Sequence, residues 1–264
     1  MNPSRVMAVM AFEWRRSIAS RRFVSWIFLI GFPVLIMVLT ARIGASSQAG
    51  ITPTSWALTI FTFVPGICCM LSLLLTAAPF LQAEIEGRTW IYMAIRPGVK
   101  TDMLYGKYLY AVSRTVITAS IALLLCLLVS GQLGQVRLVV VMWLLIVLSS
   151  LAYAAVYVLI GVIAVQRALV MAVAYSAIEF GVSFIPAVVT QITIQYRLRS
   201  LLIQGMQWDS KESSALSGFM ADANMFSTQP WWLHVGIMLG LIAGTLMVTT
   251  AILKRRELGS LKAD

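Results

Sequence analysis

The sequence predicts an all-α membrane protein with six transmembrane helices and an N-terminal interfacial amphipathic helix. Two observations support this prediction. Of the 264 residues, 60% are hydrophobic and only 11% are charged, whereas soluble domains usually carry about 25% charged residues. The apolar residues are also grouped into six runs, each long enough to cross the hydrocarbon core, which takes about 20 residues as a helix. We therefore expect the bilayer to surround most of the chain.

The polar stretches between these runs are short, so the prediction is a single transmembrane domain over residues 1–264. The predicted spans are residues 23–41, 56–81, 108–130, 136–165, 168–190 and 231–253. The remaining segments are an interfacial helix at 2–22, a cytoplasmic loop at 82–107 and an external segment at 191–230. Pro65 lies within the second run and predicts a kink, at which a neighbouring helix can bond the freed carbonyl.

Residues 2–22 have the helical periodicity of a segment that lies in the headgroup layer. One side of the helical wheel carries Val6, Met7, Met10, Trp14 and Ile18. Most of the charged residues lie off that side, and they are Glu13, Arg15, Arg16 and Arg22. The alternative is a solvated basic tail.

The distribution of Lys and Arg residues along the chain predicts its orientation in the membrane. Of the 20 in the chain, five fall on one side of the predicted membrane: Arg42, Arg137, Arg197, Arg199 and Lys211. The others fall on the opposite side, which the positive-inside rule makes cytoplasmic. Both termini are then cytoplasmic. This bias and the attraction to anionic lipid account for the net charge of +10. No free basic stripe with aromatic residues predicts a nucleic-acid partner.

The sequence carries no enzyme motif. Neither G-x-S-x-G nor H-E-x-x-H is present, and Gly106-Lys107 is followed by tyrosine rather than by the Ser or Thr of a Walker A loop. A single histidine without a carboxylate cluster predicts no metal site. The three cysteines, Cys68, Cys69 and Cys126, lie in predicted spans and are expected to be small packing residues. We therefore expect no catalysis and no cofactor in this chain.

The most specific pattern lies in residues 82–107. In order, it comprises Glu84, Glu86, Arg88, Thr89, Tyr92, Arg96, Pro97, Gly106 and Lys107. A short helix over about residues 86–95 is predicted to end at Arg96, because the residue before a proline avoids the α region. This order resembles the loop after the second span of ABC-2-type permeases, the membrane subunits of type V ABC transporters. Their outline of six spans, an interfacial helix and two cytoplasmic ends is also similar.

The resemblance implies a coupling helix that docks into a separate ABC ATP-binding subunit, which would bind ATP and Mg²⁺ and hydrolyse the nucleotide. It assigns Glu84, Glu86, Arg88, Thr89, Tyr92 and Arg96 to that interface, with Pro97, Gly106 and Lys107 shaping or anchoring it. The alternative is that these charges mark the membrane edge and snorkel. The resemblance further implies a permease in the cell inner membrane, paired with a second copy or a paralogue.

Two functions remain open from the sequence. The first is transport or export of a substrate, coupled to ATP hydrolysis by the partner. The second is a membrane transducer or anchor, in which the ATPase acts on a periplasmic protein and no solute crosses. Glu179, near the middle of the fifth predicted span, is either a pathway residue that contacts the substrate or a proton, or a buried protonated acid bonded to Ser176, Ser183 or a neighbouring span. Gly236, Gly240 and Gly244 predict a close-packing face on the last span.

Overall fold

A computed structural model describes residues 3–19, 23–46, 52–86, 99–182, 193–207 and 229–255. Within these ranges the chain is helical, with no strand. The long helices are α1 (Pro3–Ala19), α2 (Phe23–Ser46), α6 (Val99–Ser130), α7 (Val136–Ile163), α8 (Ala168–Val182) and α10 (Trp231–Arg255). The shorter ones are α3 (Pro53–Phe61), α4 (Cys69–Thr76), α5 (Phe80–Glu86) and α9 (Ile194–Met206). A π-helical segment, Thr62–Cys68, joins α3 to α4, and a 3₁₀ turn, Val165–Arg167, joins α7 to α8.

Six helical stretches are long and apolar enough to cross a membrane, as the sequence predicts. They are Val24–Ile43, Pro53–Ile85, Val99–Ser130, Val136–Ile163, Val165–Val182 and Trp231–Arg255. The second, third and fourth form the centre, because about half or more of each is buried, whereas the first, fifth and sixth are mostly exposed. The third stretch begins at Val99, well before the predicted start at 108, so part of the predicted loop is helical.

The packing defines two ends of the bundle. What we call the basic end comprises α1, α5, the start of α6, the turn between α7 and α8, and the end of α10. There the Tyr105 hydroxyl lies 3.4 Å from Thr250 Oγ1. Gly161 packs so closely on the turn before α5 that an added Cβ would lie 2.5 Å from the Ala78 carbonyl oxygen. The opposite end contains the turn at residues 131–135 and the end of α9, to which Arg137 Nε donates at the Gly205 carbonyl (2.8 Å).

Helix α1 packs along the first half of α6, and its buried face differs from the apolar side of the helical wheel. Val6, Glu13 and Ser17 are buried, whereas Met7 is 61% exposed. Glu13 was expected mostly off the apolar side of an interfacial helix. It lies in the contact because it meets the Lys107 ammonium there, which compensates its charge. The apolar Met7 and Phe12 lie on the exposed side.

The second span is interrupted at Pro65, within the π-helical segment. The Cys69 N–H donates to the carbonyls of Val64 and Gly66, and Ser149 Oγ on α7 donates to the Pro65 carbonyl at 2.8 Å. A neighbouring helix therefore bonds the interrupted segment, but at the carbonyl of Pro65 itself and not at the carbonyl four residues earlier that a proline frees. The interrupted segment also contacts α9, because the Gln195 side chain lies against Gly66.

Candidate functional site

Two charged residues from opposite ends of the predicted coupling loop, together with Glu13 of α1, form a buried ion-pair cluster at the basic end. Lys107 Nζ pairs with Glu84 Oε1 and lies 3.4 Å from Glu13 Oε1. It also donates to the Phe80 carbonyl at 3.4 Å. Arg16 reaches Glu84 from the surface, at 3.8 Å. The side chains of Lys107, Glu84 and Glu13 are buried, and Glu84 is only 4% exposed. The Lys107 ammonium contacts both buried carboxylates, and Arg16 contacts one of them from the surface.

Three elements meet at this cluster, and each contributes one residue. Glu13 comes from α1, Glu84 from α5 and Lys107 from α6. Gly106 permits the approach of α1, because an added Cβ would lie 2.7 Å from Val9 Cβ and 2.9 Å from the Val6 carbonyl oxygen. Trp14 Nε1 also donates to Ser113 Oγ across the same contact, at 3.3 Å. The position before the predicted coupling helix is therefore joined to both α1 and α6.

The other residues of the predicted interface are less fully described. Glu86 is the last residue of α5, and only its backbone is described. Five predicted residues lie outside the described ranges: Arg88, Thr89, Tyr92, Arg96 and Pro97. The short helix predicted over about residues 86–95 lies outside them beyond Glu86. The interface with an ATPase therefore stays a prediction.

Glu179 lies deep in the bundle. It is about 16 Å along α8 from Ala168, which is roughly half of the ~30 Å hydrocarbon thickness. Its Oε1 accepts the Ile194 N–H at 2.9 Å and the Gln195 N–H at 3.3 Å. The Tyr153 hydroxyl donates to the same oxygen at 3.1 Å. Glu179 thus accepts from the free N–H groups of the first turn of α9, where a negative charge is favourable.

The contact between Glu179 and the first turn of α9 shows that α9 begins within the bundle. Residues 191–230 were expected outside the membrane, but the first turn of α9 contacts Glu179 within the bundle. From there α9 runs along α7 to the opposite end, where the side chain of Gln207, the residue after α9, accepts from Arg137 Nη1 at 2.9 Å. Of the partners considered for Glu179, the neighbouring span provides one through Tyr153, whereas Ser176 bonds the Tyr157 hydroxyl at 2.6 Å instead.

Further polar groups surround this carboxylate. Gln195 Nε2 donates to the Tyr153 hydroxyl at 2.8 Å, so Tyr153 links the Gln195 amide to Glu179. Arg199, one turn further along α9, is also buried. Burial lowers the pKa of its guanidinium and nearby Tyr153 opposes that change, but an arginine keeps its charge in proteins. The site therefore contains a buried acid, a buried cation and a hydrogen-bonded tyrosine.

Several of these contacts were not predicted from the sequence, namely those of Glu13, Tyr153, Gln195 and Arg199. The sequence signal for such a contact is a charged or amide side chain within a mainly apolar stretch. This signal does not identify the partner, because the partner is far away in the chain. Among the described residues no group of three or more His, Cys, Asp or Glu side chains could hold a metal ion. The cysteines within them are free and buried.

No protein-family model matches the chain, and a search of curated proteins finds no match.

Proposed function

We propose that the protein is the membrane subunit of an ABC transporter, coupling ATP hydrolysis by a separate ATPase subunit to export or translocation of a substrate. It would act in the cell inner membrane, with both termini in the cytoplasm. The proposal rests on the six helices long and apolar enough to cross a membrane and on the motif of residues 84–107, which resembles the coupling loop of ABC-2-type permeases.

The observation that supports this function most directly is the buried Glu84–Lys107–Glu13 cluster. A coupling helix must transmit force, so its base needs a stiff connection to the spans. Here Glu84 is the first residue of the motif and Lys107 is its last, and Lys107 joins Glu84 to the start of α6 and to α1. We therefore assign Glu84 and Lys107 to bracing the loop. Direct contact with the ATPase is left to Glu86, Arg88, Thr89, Tyr92 and Arg96.

A second copy or a paralogue of the chain is part of the proposal. The face of α10 that carries its three glycines supports this part of the proposal. Outside the neighbouring turns of the same helix, no described atom lies within 4 Å of a Cβ added at Gly236, Gly240 or Gly244. The close packing that this pattern favours is therefore not made inside the described part of the chain. A helix from another protomer could approach it closely.

The test is a pulldown of the tagged full-length protein in mild detergent, with and without trapped nucleotide. We expect a P-loop ATPase to co-purify with the wild type and with Arg255→Glu, and to be lost from Arg88→Glu. The two variants make the same charge change near the same predicted membrane face. If no ATPase binds the wild type, the proposal fails. If an external protein binds as well and no substrate moves, the transducer function replaces transport.

The bracing role predicts a charge-swap result. Glu84→Lys places a second cation beside Lys107, so we expect it to lower stability by about 3–5 kcal/mol, as when a buried charge loses its partner. The double variant Glu84→Lys/Lys107→Glu restores an opposite pair and should recover part of that loss. Thermal unfolding of each purified variant measures this. A double variant no more stable than the single one would contradict the bracing role.

A further inference from the structure

A cavity of about 410 Å³ lies beside the ion-pair cluster, within the basic end. It is bounded by α1, by the start of α2, by the second span around Pro79 and by α6 between Lys107 and Arg114. Its volume is within the ~300–1,000 Å³ range of ligand pockets. The ion pairs that Lys107 makes with Glu84 and Glu13 do not fill this cavity.

The lining of the cavity has an excess of positive charge. Three cations line it, namely Arg16, Lys107 and Arg114, and one carboxylate, Glu13. Glu84 pairs with Lys107 from outside the lining, so three cations still face two carboxylates. Arg114 Nη2 donates to Ser25 Oγ at 2.8 Å, and its guanidinium lies 5.5 Å from the centre of the Trp26 ring. A guanidinium carries five N–H donors in a fork that suits phosphate oxygens.

The cavity also has a polar group in need of a partner. Tyr110 lines it, is only 5% exposed, and its hydroxyl makes no hydrogen bond to any described residue. The buried indole N–H of neighbouring Trp26 makes none either within the same residues. Buried polar groups are nearly always hydrogen-bonded. Trp26 does not line the cavity, so the groups offered to a ligand are the Tyr110 hydroxyl and the cations, which together match a ligand rich in acceptor oxygens.

The surroundings distinguish a lipid from a soluble anion. Trp14 meets Trp26 and Tyr110 edge to face, with ring centres 5.8 and 5.7 Å apart, as in the aromatic belts at membrane surfaces. Next to Ser25 and Trp26, α2 exposes Val24, Ile27 and Phe28, each by more than half. A phosphate in the cavity would therefore stand beside an apolar helix face along which acyl chains can lie.

We propose that this cavity binds the phosphate of an anionic glycerophospholipid, with Arg114 and Tyr110 as its principal ligands. Arg16 contributes charge from the edge, and the acyl chains lie on α2. Basic pockets between transmembrane helices are suited to such headgroups. The bound lipid joins α1, α2 and α6, and this role is independent of which partner the protein has.

The test is native mass spectrometry of the purified full-length protein, titrated with phosphatidylglycerol or phosphatidylcholine. We expect the wild type to retain phosphatidylglycerol preferentially. Arg114→Gln should weaken that retention about tenfold and Tyr110→Phe about three- to tenfold, from the loss of hydrogen bonds to a charged group. Arg255→Gln, an exposed arginine of α10 outside the cavity, should leave it unchanged.

Thermal unfolding with and without phosphatidylglycerol supplies the second readout. The lipid should raise the Tm of the wild type and of Arg255→Gln, but raise that of Tyr110→Phe less. If Arg114→Gln does not fold, Tyr110→Phe decides, because it removes a single oxygen. Equal lipid retention by all variants, or no preference over phosphatidylcholine, would overturn the proposal. So would glycerol 3-phosphate raising the Tm with the same variant dependence while the lipid does not, since the site would then take a soluble phosphate.

Discussion

At the scale of single residues, the buried charges of this protein have partners distant in sequence. Glu179 accepts three hydrogen bonds from α7 and from the first turn of α9. Lys107 joins Glu13 to Glu84. A buried polar group in a membrane is costly unless it is hydrogen-bonded or paired, so each of these contacts favours one arrangement of helices over others.

Glu179 therefore has a structural role that can be measured. Glu179→Ala leaves the Ile194 and Gln195 N–H groups and the Tyr153 hydroxyl without their acceptor, and we expect it to cost roughly 2–5 kcal/mol. Glu179→Gln keeps an acceptor oxygen and should cost less than half of that. Thermal unfolding in detergent compares the two. Equal losses would contradict the assignment of Oε1 as the acceptor.

A pathway role for Glu179 needs a separate observation. Once the transported substrate is known, transport by Glu179→Gln can be compared with its stability. If this variant folds and transports like the wild type, the charge is dispensable and the side chain serves only to position α9 through its acceptor oxygen. If it folds but does not transport, the charge acts on the substrate or on a proton.

At the scale of secondary-structure elements, the close contact of α1 with α6 depends on a glycine. We expect Gly106→Ala to push α1 away, because the added Cβ would lie 2.7 Å from Val9 Cβ and 2.9 Å from the Val6 carbonyl oxygen. Amide hydrogen exchange of α1 should become faster, while exchange in α7 changes little.

The matched control is Gly31→Ala in the interior of α2. Nothing in the described structure lies within 4 Å of the added Cβ there, so the change is expected to stabilise the helix by up to ~1 kcal/mol through helix propensity. If Gly106→Ala gave the same result as this control, the tight contact of α1 with α6 would be refuted.

At the scale of the whole molecule, the two ends of the bundle predict which residues are accessible from each side of the membrane. Leu133, in the turn between α6 and α7, is 43% exposed, and Lys254 is exposed near the end of α10. In intact spheroplasts a membrane-impermeant maleimide should label Leu133→Cys. It should label Lys254→Cys only after permeabilisation. The native cysteines are buried and should give little background, which the unmodified protein measures. The reverse pattern of labelling would invert the predicted orientation.

The sequence by itself determined the class of the protein and the approximate places of its spans, because a helix in lipid must bond its own backbone and needs about 20 apolar residues. It also singled out Glu179, because charges are rare in such runs, and Glu84 and Lys107 through their places in the loop motif. Only the tertiary structure decided their contacts, which include Glu13 in the packed face of α1 and the first turn of α9 beside Glu179. These depend on which helices become neighbours, and the helical periodicity of one segment carries no information about the residue that meets it from another.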